Sequence, residues 1–340
     1  MAKFTDIFED VTKQGTKIST NLYLETGMYP IIDQGQSQVA GYTNETEGLF
    51  TDIPAIIFGD HTRIIKYVDT PCFLGADGVK LLKAKDPTAN YKYLYYALCN
   101  ADIPNTGYNR HFKWLKEIEI AECSIEEQNS IVAQFEKIDT LICLRKQQLS
   151  KLDELVKPRF VELFGDYRIN EKGFDCKKGS ELFKFSSGKF LPEEKRLNEG
   201  TPVYGGNGIA WYTNEYLIDY PTIIIGRVGA QCGNIHAVTT PVWITDNAIY
   251  IKEQKTKAYT LEFLTELMRM MDFYQYADFS GQPKITQKPL ETLDYIMPPI
   301  ELQNEYTAFV KQTDKSKFEI QKSLEKLETL KKALMQKYFW

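Results

Sequence analysis

Between Ile125 and Phe164, apolar residues recur at alternating steps of three and four: Phe135, Ile138, Ile142, then Leu149, Leu152 and Val156. That spacing is the seam of a coiled-coil helix. At about 1.5 Å per residue such a helix runs about 60 Å, longer than a small globular domain needs. Arg145 stands where the seam calls for an apolar residue, and Pro158 is expected to kink or thin the last turn.

The stretch has a copy. Ile125-Glu126-Glu127-Gln128-Asn129 returns 175 residues later as Ile300-Glu301-Leu302-Gln303-Asn304, and the offset holds through Lys151-Leu152-Asp153 against Lys326-Leu327-Glu328 to Phe164 against Phe339. The second seam, through Ile320, Leu324, Leu327 and Leu334, carries Lys317 and Lys331 at positions that call for apolar side chains. A helix so interrupted needs a partner. The two are therefore expected to pair antiparallel within one chain, with Leu149, Leu152, Leu324 and Leu327 on the shared seam.

The repeat extends beyond the helices. Gly15 precedes Gly27 by twelve residues, as Gly188 precedes Gly200, and Tyr42-Thr43-Asn44-Glu45 recurs letter for letter as Tyr212-Thr213-Asn214-Glu215. Pro54 to Gly59 and Pro221 to Gly226 read as short buried strands, rich in β-branched residues and stopped by glycine. Strands led by Asp77 and Asp246 follow, then amphipathic helices around Tyr91 to Asn100 and Leu261 to Met271, polar loops at Gly107 and Gly281, and last strands at Ile118 to Ile120 and Tyr295 to Met297. The expected architecture is α+β: two homologous globular domains, 1–123 and 167–298, separated by two long antiparallel coiled-coil helices, 124–166 and 299–340. Such a frame, with its internal pseudo-twofold repeat, holds two similar surfaces a fixed distance apart.

At 340 residues the chain can bury two cores. Cys72, Cys99, Cys123, Cys143, Cys176 and Cys232 are scattered, with no pair at metal-ligand spacing, so no zinc site or disulfide framework is expected. No stretch has the length of a signal peptide core or a membrane span, and a cytoplasmic protein is expected. The net charge of −5 weighs against nucleic acid as a partner, but the acidic excess is concentrated before the first long helix, and a summed charge says little about one groove.

No catalytic centre emerges. Gly205-Gly206-Asn207-Gly208 lacks the Lys-Ser or Lys-Thr of a phosphate loop and reads as a turn between strands. Met297-Pro298-Pro299-Ile300 lacks the polar and aromatic residues with which an amino-methyltransferase holds a flipped base, and reads as the end of a strand before a helix. His61, His111 and His236 lie far apart and read as surface or hydrogen-bonded histidines. Pro192-Glu193-Glu194-Lys195 reads as a solvated charge run. No metal and no cofactor are expected.

The loops are more informative. Gly107 to Lys113 interleaves donors with rings, and the matching Ser280 to Lys284 keeps a Gln and a Lys. Arg, Asn and Gln read base edges through pairs of hydrogen bonds, while Lys steadies phosphates. If the chain reads DNA, the candidates are Tyr108, Asn109, Arg110 and Lys113 in the first half, and Arg227, Gln231, Gln282 and Lys284 in the second. An ordinary surface loop has the same chemistry.

The two Ile-Glu-x-Gln motifs, the helix ending Leu152-Asp153-Glu154-Leu155-Val156-Lys157-Pro158-Arg159-Phe160, and the Gly, Pro, Tyr-Thr-Asn order of both halves make the chain resemble the specificity subunit of a Type I restriction-modification system. The resemblance covers nearly the whole chain. One departure is Cys123-Ser124, where the family usually has Pro-Pro before the first long helix. The resemblance implies a non-catalytic subunit whose two target-recognition domains read a bipartite site on double-stranded DNA. It also implies that the helices dock two methyltransferase subunits and, through them, nuclease/translocase subunits. Two other classes compete with it: an enzyme with its own methyltransferase or nuclease centre, and a coiled-coil scaffold that binds only proteins. S-adenosylmethionine cross-linking to the isolated chain separates the first, and retention on duplex DNA the second.

Overall fold

The computed structural model describes residues 1–339 apart from Ala76 and Tyr108. It is α+β, and its contacts divide it into two compact units, Met1–Lys146 with Lys322–Trp340, and Gln147–Gln321. Each unit contains one globular domain and parts of both long helices. Those helices are continuous over Ile125–Phe164 and Ile300–Phe339. Pro158 lies inside the first, which continues for six more residues beyond it.

The two units repeat one topology. In the first, a four-stranded antiparallel sheet runs in the order Phe8–Asp10, Val79–Ala84, Ala55–Gly59, Ile65–Val68. In the second the order is Phe183–Ser187, Ala248–Gln254, Thr222–Gly226, Ile235–Val238. The central strands Ala55–Gly59 and Thr222–Gly226 are buried throughout, which is why they read as unbroken apolar runs rather than alternations. Asp77 and Asp246 precede their strands by a turn instead of leading them.

A three-stranded sheet follows in each unit: the hairpin Tyr29–Ile32 and Gly41–Thr43 with Phe73–Leu74 added in parallel, and the hairpin Thr201–Gly205 and Gly208–Thr213 with Trp243–Ile244. The repeated Tyr-Thr-Asn-Glu now has a physical role. Tyr29 pairs with Thr43 and Thr201 with Thr213, and each buried threonine hydroxyl accepts the N–H of the glutamate two residues on, Glu45 at 3.2 Å and Glu215 at 3.5 Å. This local bond turns the chain out of the strand. As the sequence suggested, Gly206-Asn207 is the two-residue tip of a hairpin in which Gly205 faces Gly208.

Behind each main sheet packs an amphipathic helix, Tyr91–Cys99 capped by Asn90 and Leu261–Met270 capped by Thr260. Onto it the long helices lay their aromatic faces. In the first unit Phe135 is fully buried, stacks on Tyr96 at 4.8 Å and lies 5.9 Å from Phe339. In the second, Phe160 stacks on Phe263 at 5.4 Å and meets Tyr306 edge-on at 5.5 Å.

Within each unit the helix segments run antiparallel, because contacts that advance along one retreat along the other. The first unit joins Asp139 to Lys331 at 2.5 Å and Lys146 to Glu328 at 3.7 Å. The second joins Asp153 to Lys317 at 2.6 Å and Arg159 to Glu305. The two lysines that break the second seam are therefore the partners of acids on the first helix. Of the predicted seam residues, Phe135, Ile138 and Leu324 are buried, while Ile142, Leu149, Leu152, Ile320 and Leu327 are half-buried.

The repeated glutamines anchor the helix starts. Gln128 Nε2 donates to the Cys123 carbonyl at 3.1 Å, and Gln303 Nε2 donates to the Pro298 carbonyl at 2.9 Å. The departure at Cys123 leaves this bond intact, since only the backbone takes part. Gln303 is fully buried and also bridges to the neighbouring domain helix, donating to Ala258 O at 2.8 Å and accepting from Thr260 N at 2.9 Å.

Candidate nucleic-acid interface

In each domain the central strand ends at a glycine over which a hairpin turn passes. A Cβ on Gly226 would lie 2.3 Å from the Gly206 carbonyl oxygen, and one on Gly59 2.3 Å from the Thr62 hydroxyl and 2.9 Å from the Gln34 Cβ, so neither position can carry a side chain without a shift of its neighbours. The residue after each glycine is held by matched backbone bonds. Asp60 N donates to Gly78 O at 2.7 Å and Arg227 N to Asn247 O at 2.9 Å. In return, His111 N donates to Asp60 O at 2.8 Å and Ile285 N to Arg227 O at 2.9 Å.

These bonds fix the correspondence of the two candidate loops. His111 and Ile285, both fully buried, occupy one position, so Arg110 matches Lys284 and Gly107 matches Gly281. Each loop tip is thereby pinned beside the end of the buried central strand, and its side chains project from a rigid base.

In the first domain the pin is His111. Its Nδ1 donates to Asp60 O at 2.9 Å, its Nε2 faces the Thr106 hydroxyl at 3.3 Å, and Asp60 Oδ1 accepts Phe112 N at 2.7 Å. Around this buried knot lie exposed Asn109 and Arg110. Lys113 sits in the short helix Phe112–Leu115 rather than in the loop, with its Nζ 4.0 Å over the Trp114 ring. Tyr108 lies outside the described residues.

In the second domain all four predicted residues come together. Backbone bonds join Asp278 and Lys284 in both directions at 2.8 and 3.1 Å, and Gly229 N to Pro283 O at 2.9 Å. Lys284 and Gln282 are exposed on this hairpin, Arg227 is half-buried beside it with Nη1 3.2 Å from Asp246 O, and Gln231 shares a shallow depression with Gln282. Asn207 and Asn247 line the same depression.

Sequence reasoning misses Asn207, Asn234 and Asn247, and in the first domain Gln34, His61 and Thr62. His61 N donates to Gln34 Oε1 at 3.2 Å, His61 Nδ1 faces Asn109 O at 3.2 Å, and Thr62 Oγ1 donates to Gln34 O at 2.7 Å. The signal for Asn207 is its place in a glycine turn, which by itself reads as a turn alone.

His236 departs from expectation. It is half-buried, its Nε2 has no hydrogen-bond partner among the described residues, and burial, with Arg269 adding to it, lowers its pKa. Among the described residues no group of His, Cys, Asp and Glu is placed to hold a metal ion, and no helix is long and apolar enough to cross a membrane.

The type I restriction modification DNA specificity domain matches the chain twice, over residues 1–154 and 171–332. The chain belongs to that family. It is a type I restriction-modification specificity subunit with two DNA-recognition domains, and each match covers one copy of the repeat.

A putative type I specificity subunit of Mycoplasma genitalium is 23% identical over 354 residues, covering 96% of this chain and 90% of that one. The specificity subunit of an Escherichia coli type I restriction enzyme is 29% identical over 128 residues, 36% of this chain, and the match spans about a third (31%) of that relative. The fold is that of a type I S subunit crystal structure from M. genitalium, at a TM-score of 0.69 and 21% identity, over 99% of this chain and 95% of that one. A second structure, from work on complex assembly and conformational transition of the type I R-M system, aligns at a TM-score of 0.60 and 14% identity over 99% and 95%.

Proposed function

We propose that this chain reads a two-part target on double-stranded DNA, one globular domain per part, and that it serves as the non-catalytic recognition subunit of a cytoplasmic modification and restriction complex. The helices dock two methyltransferase subunits, and the nuclease/translocase subunits join through them. What carries the reading is the matched pair of backbone bonds, His111 N to Asp60 O and Ile285 N to Arg227 O. They present two loops in the same setting with different side chains: Asn109 and Arg110 in one, Gln282 and Lys284 in the other. A shared frame with unlike readers suits a target of two short, unlike half-sites.

In this reading Asn109, Arg110, Gln231 and Gln282 face base edges, with Arg227 beside them, and Lys113 and Lys284 face phosphates. Assembly with other subunits is supported by the likeness in fold to a chain solved in work on complex assembly of the type I R-M system. The test is sequencing of modified bases in a host carrying the methyltransferase genes with and without this chain. The expected result is a modified motif in two parts with an unspecified gap, present only with the chain. A continuous motif, or one that persists without the chain, contradicts the proposal.

A further inference from the structure

The depression in the second domain is rich in carboxamides. Four of its lining side chains are carboxamides, Asn207, Gln231, Asn247 and Gln282, all exposed, and none of the lining residues is charged. Behind them Asn234, half-buried, donates its Nδ2 to Gln231 Oε1 at 2.7 Å and to Asn207 Oδ1 at 3.3 Å. Both amides are thereby turned with their oxygens toward Asn234, leaving each NH2 group and a second oxygen lone pair for another partner.

The base of this array is stiff. Asn234 N donates to Gln231 O at 3.2 Å, and its carbonyl accepts Gly226 N at 2.8 Å. Gln282 comes from the hairpin pinned to Gly229, and its Nε2 lies 3.5 Å from where a Cβ on Gly229 would sit. Gly229, at φ +91, holds a backbone conformation that a side chain would strain.

A carboxamide offers one donor and one acceptor side by side. That matches the N7 acceptor and N6 donor of adenine in the major groove, whereas guanine shows two acceptors there and suits Arg or Lys. From this cluster we infer that the second domain reads adenine, through Gln282, Gln231 and Asn207 as direct contacts and Asn234 as the positioning residue behind them. Among the described residues the first domain offers no such set: its equivalent loop carries exposed Arg110, and Gln34 is engaged with the backbone of His61 and Asp77. The half-site read by the second domain therefore holds at least one A·T pair recognised in the stacked duplex, at a position where A·T is preferred over G·C.

This inference rests on the two-part reading proposed above, and the experiment separates the two. The full chain and its methyltransferase are expressed with Gln282→Ala, Asn207→Ala, Asn234→Ala or Gln282→Arg, and modified bases are sequenced. Each alanine variant is expected to lower discrimination at one A·T position of one half-site by about tenfold or more, with the other half-site unchanged. Gln282→Arg is expected to move that position from A·T toward G·C, a gain that no folding defect produces. Relaxation confined to G·C positions, loss of all modification in every variant, or an unchanged motif overturns the inference. If the unmutated chain yields no two-part motif, it is the broader proposal that fails.

Discussion

The ring of Phe339 lies 5.3 Å from that of Tyr93, and its repeat counterpart Phe164 lies 4.6 Å from Phe263. Tyr93 and Phe263 occupy the same place, the third residue of each domain helix. The helix that begins beside the second domain thus ends against the first, and the helix that begins beside the first ends against the second. Phe164 is fully buried, so Phe164→Ala is expected to destabilise the second unit by about 3–5 kcal/mol. Phe339 is half-buried, and its truncation is expected to cost roughly half of that. Denaturant unfolding of the two variants checks the order; equal losses contradict it.

Gln303→Ala removes three hydrogen bonds at a fully buried position, leaving Thr260 N, Ala258 O and Pro298 O to find other partners. The expected loss is about 2–4 kcal/mol, against about 1 kcal/mol for Gln128→Ala, which removes the bond to the Cys123 carbonyl at a half-buried position. Thermal melting of both variants decides. A milder effect at Gln303 than at Gln128 removes the anchoring role assigned to it.

Much of this frame is legible in the sequence because its causes are local. Seam spacing, strand-ending glycines and the exact recurrence of Tyr-Thr-Asn-Glu each act within a few residues, and the helix and strand limits follow within a residue or two. The rest depends on partners far along the chain. Lys317 and Lys331 look like defects in a seam until Asp153 and Asp139 are placed across from them. Gln231 and Asn234 share one turn, but Asn207 comes from another turn 27 residues before Asn234, so no short window of sequence joins all three. The loops at Gly107 and Gly281 stand out by composition, but their residue-by-residue match depends on the bonds to Asp60 and Arg227.

Tyr306 is fully buried and its hydroxyl has no hydrogen-bond partner among the described residues, while burial, with Glu266 next in effect, raises its pKa. A buried hydroxyl without a partner costs about 1–3 kcal/mol. Tyr306→Phe keeps the ring contacts with Phe160 and Phe164 and removes that cost. The variant is expected to be more stable than the parent, by up to about 1–3 kcal/mol, in urea unfolding. A clear loss of stability means that the hydroxyl holds a bound water or another partner.

His236 gives the second unit a pH dependence. Its folded pKa is lowered below 6.5 by burial, so the unfolded chain takes up the proton first as pH falls. The stability it contributes is full above about pH 6.5 and is lost as pH falls from there through its folded value. His236→Gln is expected to flatten that part of the stability profile between about pH 7 and 5. An unchanged slope places the dependence elsewhere.

Under the proposed function each domain reads its own part of the target. Arg110→Ala and Gln282→Ala are introduced singly into the full chain, and the modified motif is sequenced in cells that also supply the methyltransferase. Each substitution is expected to relax one position in one half-site only, a different half for each, with the loss of discrimination amounting to about 1–3 kcal/mol. If both substitutions relax the same half-site, or either changes both halves together, the domains do not read independently.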